Sequence, residues 1–182
     1  MTETSQYAPD TAAPPRCIVL TGFMGSGKST AGALLARRLG WRFVDVDNVL
    51  ETEAGCTIAE IFARQGEAAF REQERATIAR LASGDRLVLA LGGGAIENAA
   101  TRQLLLTGDG TLLVHLEVEL ATTLARCKGT EQMRPVLADQ ANLAARYRRR
   151  LPLYRQAHVS LHVDSLTPNQ VVKAVARAAR LG

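Results

Sequence analysis

Aromatic residues make up only 4% of this 182-residue chain. Proteins that hold single-stranded nucleic acid commonly stack its bases on aromatic rings, so a chain this poor in them offers little platform for that partner. Cysteine is scarce too: Cys17, Cys56 and Cys127 stand far apart, with no C-x-x-C pair. Neither a zinc site nor a disulfide framework is indicated, and ordinary thiols in a reducing compartment are expected. No apolar run approaches the length that spans a bilayer, and the N-terminus lacks the basic-then-apolar pattern of a secretory signal. The expectation is a soluble, cytoplasmic protein with no membrane partner. Lysine is nearly absent. Lys28, Lys128 and Lys173 are the only ones, and arginine supplies the rest of 22 basic residues against 18 acidic. The resulting net charge of +4 suits an anionic small molecule as well as nucleic acid. The planar fork of arginine favours carboxylate and phosphate. The tetrad N-K-x-D, which marks guanine-specific switches, is missing as well.

At 47% hydrophobic, the chain can bury one substantial core. Its organising stretch is Gly22-Phe23-Met24-Gly25-Ser26-Gly27-Lys28-Ser29-Thr30, which satisfies G-x-x-x-x-G-K-[ST] in full. Cys17–Thr21 before it has the pattern of a buried strand, and Thr30–Leu39 after it that of a helix stopped by Gly40. That is the setting a phosphate-binding loop requires. Gly25, Ser26 and Gly27 let backbone N–H groups turn inward, and the helix N-terminus adds partial positive charge. Lys28 reaches outer phosphates, while Ser29, next to Thr30, can hold Mg²⁺. In the helix, Ala31, Leu34, Leu35 and Leu39 are spaced as a core face.

Residues 1–15, with Pro9, Pro14 and Pro15 among small and polar neighbours, are expected to form a disordered tail outside a single domain over 16–182. Trp41–Val46 predicts a second strand ending in Asp45 and Asp47. Two readings stand there. Period-two spacing places both carboxylates on one side, toward metal and substrate. Alternatively, Asp47 caps a helix and Asp45 is merely solvated. Thr57–Leu81 has a helical pattern interrupted near Gly66. Arg71 and Glu74 share a face of it, as a surface ion pair or as part of a pocket walled by Phe62 and Phe70. Arg86–Leu91 predicts a buried strand running into Gly92-Gly93-Gly94, where the glycines make either a flexible turn or a close approach to a ligand. A helix over 96–106, a strand over 111–116 and a helix over 120–127 follow.

A polar stretch, 127–138, flanked by Arg126 and Arg134, has the composition of a mobile lid. Residues 139–156 predict an arginine-rich helix. Arg146, Arg148, Arg149 and Arg150 there form either a polyanion site or a mostly solvated face. A strand over 158–163 and a helix opened by Thr167, Pro168 and Gln170 close the chain; the spacing of those three marks a capping box. Val171, Val172, Val175 and Ala179 give that helix its buried face. The three histidines fall on strands and fit structural positions. Five short strands alternating with helices predict an α/β fold, a five-stranded parallel sheet with helices on both faces. In such sheets ligands bind at the carboxyl ends of the strands, where Gly22–Thr30, Asp45, Asp47 and Gly92–Gly94 all lie.

In order and spacing, these segments resemble the shikimate kinases. The resemblance rests on Gly22–Thr30, Asp45-Val46-Asp47, Gly66-Glu67 with Phe70-Arg71 and Glu74, Gly92–Gly94, Arg134-Pro135, and Arg150 before Pro152-Leu153-Tyr154. It implies a three-layer phosphate-loop kinase fold with a substrate-binding segment at about 47–81 and a lid at about 127–138. It also implies transfer of the γ-phosphoryl group of ATP to the 3-hydroxyl of shikimate, with one Mg²⁺ per monomer. Carried onto this chain, Lys28 stabilises phosphate charge, Ser29 and Asp45 hold Mg²⁺, and Asp47 orients the reacting hydroxyl or takes its proton. Arg71 and Arg150 clamp the substrate carboxylate, with Glu74 fixing the arginines. Gly92–Gly94 offer backbone donors, Arg134 closes over the transferring group, and Arg126 lies near adenine. A gluconate or nucleoside monophosphate kinase is the nearest rival reading.

Overall fold

The computed structural model describes residues 3–4, 13–128 and 140–181. After a two-residue strand, β1 (Glu3–Thr4), the apolar runs form β2 (Cys17–Thr21), β3 (Arg42–Asp45), β4 (Leu87–Ala90), β5 (Thr111–Glu117) and β6 (Val159–His162). The sheet order is β1-β6-β5-β2-β4-β3. Strands β2 to β6 are mutually parallel, and β1 adds antiparallel to β6 through Glu3–Ser160 and Thr4–Val159. Two residues of the expected tail therefore extend the sheet; 1–2 and 5–12 lie outside the described residues. Every residue of β2, β4 and β5 is buried. Strands covered on both faces need continuous Val, Leu and Ile, which is why these runs do not alternate.

Helix α1 (Lys28–Leu39) packs on β3 and β4 and against α7 (Pro168–Ala178). Helix α3 (Ile58–Ala82) packs on β4 and against α4 (Ala99–Thr107), which covers β5. Helix α2 (Val46–Ala54) sits on α3, while α5 (Leu120–Cys127) and α6 (Gln140–Tyr154) lead from β5 to β6. β2 lies centrally, with its onward connection running to one side and β5 on the other. That reversal of strand order opens a crevice at the carboxyl ends.

Several boundaries differ from expectation for physical reasons. Helix α1 begins at Lys28, because Gly27 at φ +87° ends the loop as its cap. Its buried face is Ala31, Gly32, Leu35 and Ala36, with Leu34 and Leu39 only half-buried. Strand β3 stops at Asp45, and α2 starts at once. Asp45, not Asp47, is the cap, accepting from the Asp47 N–H at 3.1 Å. The expected helix over 96–106 is split: Ala95–Glu97 is a 3-10 turn, and Asn98 caps α4 by accepting from the Thr101 N–H. Gly66, at φ +80° and ψ 167°, breaks α3 where interruption was expected. The Thr167–Gln170 capping box forms, and a second box joins Thr57 and Glu60.

His158 and His115 take buried structural positions, while His162 is exposed at the end of β6. His158 Nδ1 accepts from the Leu113 N–H at 2.9 Å, and Nε2 faces the Leu106 carbonyl at 3.0 Å, the pattern of a neutral ring. Burial depresses its pKa. His115 stacks on Tyr154, and burial pushes its pKa down to about 4. All three cysteines are free, with Cys17 and Cys127 buried. Among the described residues, no helix is long and apolar enough to cross a membrane.

Candidate active site

The phosphate loop leaves the top of β2 and is pinned from outside. The Thr123 hydroxyl donates to the Met24 carbonyl at 3.3 Å, and Arg126 donates to that of Gly25 at 3.2 Å. Phe23 meets the edge of Tyr147 with ring centroids 5.2 Å apart, tying the loop to α6. Gly22 has φ +148°, and a Cβ there would lie 2.5 Å from the Leu116 carbonyl oxygen, so no other residue fits. Lys28 Nζ donates to the carbonyls of Gly22 (2.8 Å) and Phe23 (3.0 Å), which carries its charge across the loop. Ser29 Oγ donates to Asp45 Oδ2 at 2.7 Å. Asp45 thus spends one oxygen on capping α2 and turns the other to the loop.

The triple glycine after β4 is the hub of the other half. An added Cβ on Gly92 would lie 2.5 Å from Asp47 Oδ1 and 3.2 Å from Glu74 Oε1. On Gly93 it would lie 3.6 Å from Arg150 Nη1 and from the Tyr154 hydroxyl, and on Gly94 it would strike the Arg71 guanidinium, with Nη1 at 2.7 Å. Asp47, Glu74, Arg71 and Arg150 therefore converge on one short piece of backbone. Any side chain on Gly92 or Gly94 would fill the space these charges need.

Each charge has a keeper. Arg71 Nη1 pairs with Glu74 Oε2 at 2.7 Å and Nη2 with Glu67 Oε1 at 3.4 Å, while its guanidinium lies over Phe70 and Phe62 at 5.2 and 5.9 Å from the ring centroids. The resemblance implied that Glu74 fixes both arginines; among the described residues it hydrogen-bonds Arg71, while Arg150 acts on it through charge. Arg150 is held by Glu97. The expectation missed Glu97. Burial pushes the Glu74 carboxyl above the usual range, against the pull of Arg71. Burial and the neighbouring charge of Asp45 push Asp47 up to about 6, opposed by Lys28 and Arg71.

A cavity of about 710 Å³ joins the two halves. Gly25 to Thr30, Asp45, Asp47, Gly92–Gly94 and Arg150 line it, with Arg126 beside Val163, Leu166 and Pro168 at the far end. Arg126 also donates to the Val163 and Asp164 carbonyls at 3.0 Å, fixing that wall. Arg134, and the lid segment from 129 on, lie outside the described residues. The phosphate loop, the Ser29–Asp45 pair, Asp47 and Arg150 thus share one space, with Arg71 beside Gly94 on its wall.

A model of the shikimate kinase family matches residues 24–180. The chain belongs to the shikimate kinase family. It is a phosphotransferase of the ATP-dependent phosphate-loop type, acting on a small molecule. The chain is 42% identical over 166 residues to a shikimate kinase of Moorella thermoacetica, covering 90% of this chain and 94% of that one. It is 41% identical to one from Geobacter sulfurreducens, covering 91% of each. A shikimate kinase from Acinetobacter baumannii, solved in complex with shikimate, superposes with a TM-score of 0.82 at 34% identity, covering 90% of this chain and 92% of that one. The family match runs from Met24, inside the phosphate loop, to Arg180, just past the final helix.

Proposed function

We propose that this kinase transfers the γ-phosphoryl group of ATP to the 3-hydroxyl of shikimate, as a cytoplasmic monomer with one Mg²⁺. The observation that carries the reading is that Asp47, Gly92–Gly94 and Arg150 line the same cavity as the phosphate loop, with the Arg71 guanidinium packed beside Gly94. Phosphoryl transfer needs alignment and charge neutralisation more than covalent help. The loop N–H groups and the N-terminus of α1 bind the phosphates, and Lys28 neutralises charge on the transferring group. Arg71 and Arg150 grip the ring carboxylate, a planar contact that a neutral polyol cannot make. That grip sets the hydroxyl beside Asp47, which orients it and accepts its proton. A carboxyl held near pH 6 is ionised at neutral pH yet still a usable base.

The donor set suits magnesium, which commonly takes one or two protein oxygens and completes its shell with phosphate and water. Ser29 Oγ and Asp45 Oδ2, 2.7 Å apart at the loop, would hold the ion. When bound, it would offset phosphate charge during transfer. The test is shikimate-dependent ADP formation with Mg²⁺, run against gluconate and nucleoside monophosphates. Only shikimate should support turnover; an equal rate with gluconate or a nucleotide would overturn the reading.

A further inference from the structure

Glu97 sits on the 3-10 turn that follows the triple glycine, and Arg149 and Arg150 reach it from α6. Its Oε2 accepts from Arg150 Nε at 2.8 Å and Nη2 at 2.7 Å, and its Oε1 accepts from Arg149 Nε at 2.8 Å. The two arginines differ in setting: the Arg149 side chain is 61% exposed, that of Arg150 only 9%. A buried guanidinium needs a fixed counter-charge, and an exposed one has water. The edge of Arg150 that Glu97 uses is the Nε side. The remaining nitrogen, Nη1, is the one facing Gly93, where the acid-binding half of the cavity begins.

We propose that Glu97 is a positioning residue for Arg150, holding its guanidinium side-on so that the Nη1 side is presented to the substrate carboxylate. The inference rests on the reading of Arg150 as a carboxylate clamp. Arginine loses much rotamer freedom when fixed, so fixing it beforehand lowers what substrate binding must order. Arg71 is also held by carboxylates, with Glu74 on Nη1 and Glu67 on Nη2. Each arginine of the clamp thus carries its own internal carboxylate partner. Were Glu97 a competitor for the substrate's place, it would take the face toward Gly93 rather than the opposite edge.

The experiment compares Glu97→Ala, Glu97→Gln, Glu97→Asp and Arg150→Ala by steady-state kinetics, varying shikimate and ATP separately. Glu97→Ala should raise the shikimate KM about tenfold, with kcat changed less than about twofold and the ATP KM unmoved. Glu97→Gln should keep the shikimate KM within about threefold of the parent, because its one amide oxygen still accepts from Arg150 while Arg149 turns to water. Glu97→Asp keeps the charge but draws it back by one methylene, so its KM should rise; it also serves if the alanine variant does not fold. A shikimate KM that is unchanged or lowered in Glu97→Ala, or unchanged in Glu97→Asp, overturns the proposal. Arg150→Ala separates the two layers. If it leaves the shikimate KM unchanged, the clamp reading itself falls; if it raises KM while the Glu97 variants do not, only the role of Glu97 falls.

Discussion

The two ends of the cavity are built on different plans. The phosphate end comes from one contiguous stretch, Gly22–Thr30, in which backbone geometry supplies most of the donors and one lysine supplies the side-chain charge. The acid end is assembled from side chains on α2, α3, α6 and the turn after β4, and its cations are set among carboxylates: Arg71 between Glu67 and Glu74, Arg150 against Glu97. A backbone cradle is preorganised by the fold itself. A side-chain clamp must be held by ion pairs, and each partly buried pair costs desolvation that only good geometry offsets. The phosphate end should therefore tolerate side-chain change outside its charged groups and the glycines that shape it, while the acid end should respond to losing either the arginines or the carboxylates behind them.

The sharpest test lies where the two ends meet. Asp47→Asn should lower kcat on the order of a thousandfold while ATP binding, followed by calorimetry, stays near the parent value. Lys28→Met should lower kcat by a similar order but weaken ATP binding as well, because it belongs to the phosphate end. Near-normal turnover in Asp47→Asn would remove it from the chemistry, and equal effects of both variants on ATP binding would erase the distinction between the ends.

Next come variants confined to the acid end. Arg71→Ala should raise the shikimate KM by about 10–100-fold with the ATP KM unchanged, since a charged bidentate contact is lost. Gly94→Ala should act in the same direction and more weakly, by roughly tenfold, because the new methyl would displace the Arg71 guanidinium without removing it. If Gly94→Ala instead weakened ATP and spared shikimate, the glycine would belong to the wrong end.

How much of this was legible depended on the same contrast. The phosphate loop is a contiguous pattern, and the five parallel strands are continuous apolar runs, so both could be read locally. Helix α2 was legible only as one of two readings, with its cap placed two residues late, because Asp45 both ends a strand and caps the helix, with no glycine or proline to mark the change. The helical phase of α6 held a usable signal: Leu143, Tyr147, Arg150 and Tyr154 recur at spacings of four, three and four. Leu143 and Tyr154 are buried, and Arg150 alone among the clustered arginines points inward with them. Glu97 offered no such signal. Its partners lie 52 and 53 residues further on, and nothing in Ala95-Ile96-Glu97 announces an ion pair across the fold.

A smaller effect is expected with pH. If Asp47 must be ionised to receive the hydroxyl proton, kcat/KM for shikimate should fall on the acid side with a midpoint near the value of about 6 at which that carboxyl is held. Below it, the rate should drop about tenfold per pH unit. Binding of ATP alone should not share that limb if Asp47 serves the acceptor. A profile that stays flat down to pH 5 would mean that only the position of Asp47 matters, not its charge.

The smallest effect is in stability, and it has the opposite sign to the loss of activity. Asp47 is held at about 6 in the folded chain against an ordinary 3.8, because burial and Asp45 disfavour its charge. Between those values the folded chain keeps a proton that the unfolded chain has released. Stability from this group is therefore fully present below about pH 4 and is lost as pH rises through 6. Above pH 6 the ionised carboxylate is a net cost to the fold, which Asn, resembling the protonated acid, does not impose. The full separation would amount to about 3 kcal/mol, and partial exposure reduces it to about 1–2 kcal/mol. Asp47→Asn should then unfold at higher denaturant than the parent at pH 8 and match it at pH 4. A variant that is less stable than the parent at pH 8 would show that the carboxylate's contacts outweigh its burial, and that the group carrying the chemistry is not held at the fold's expense.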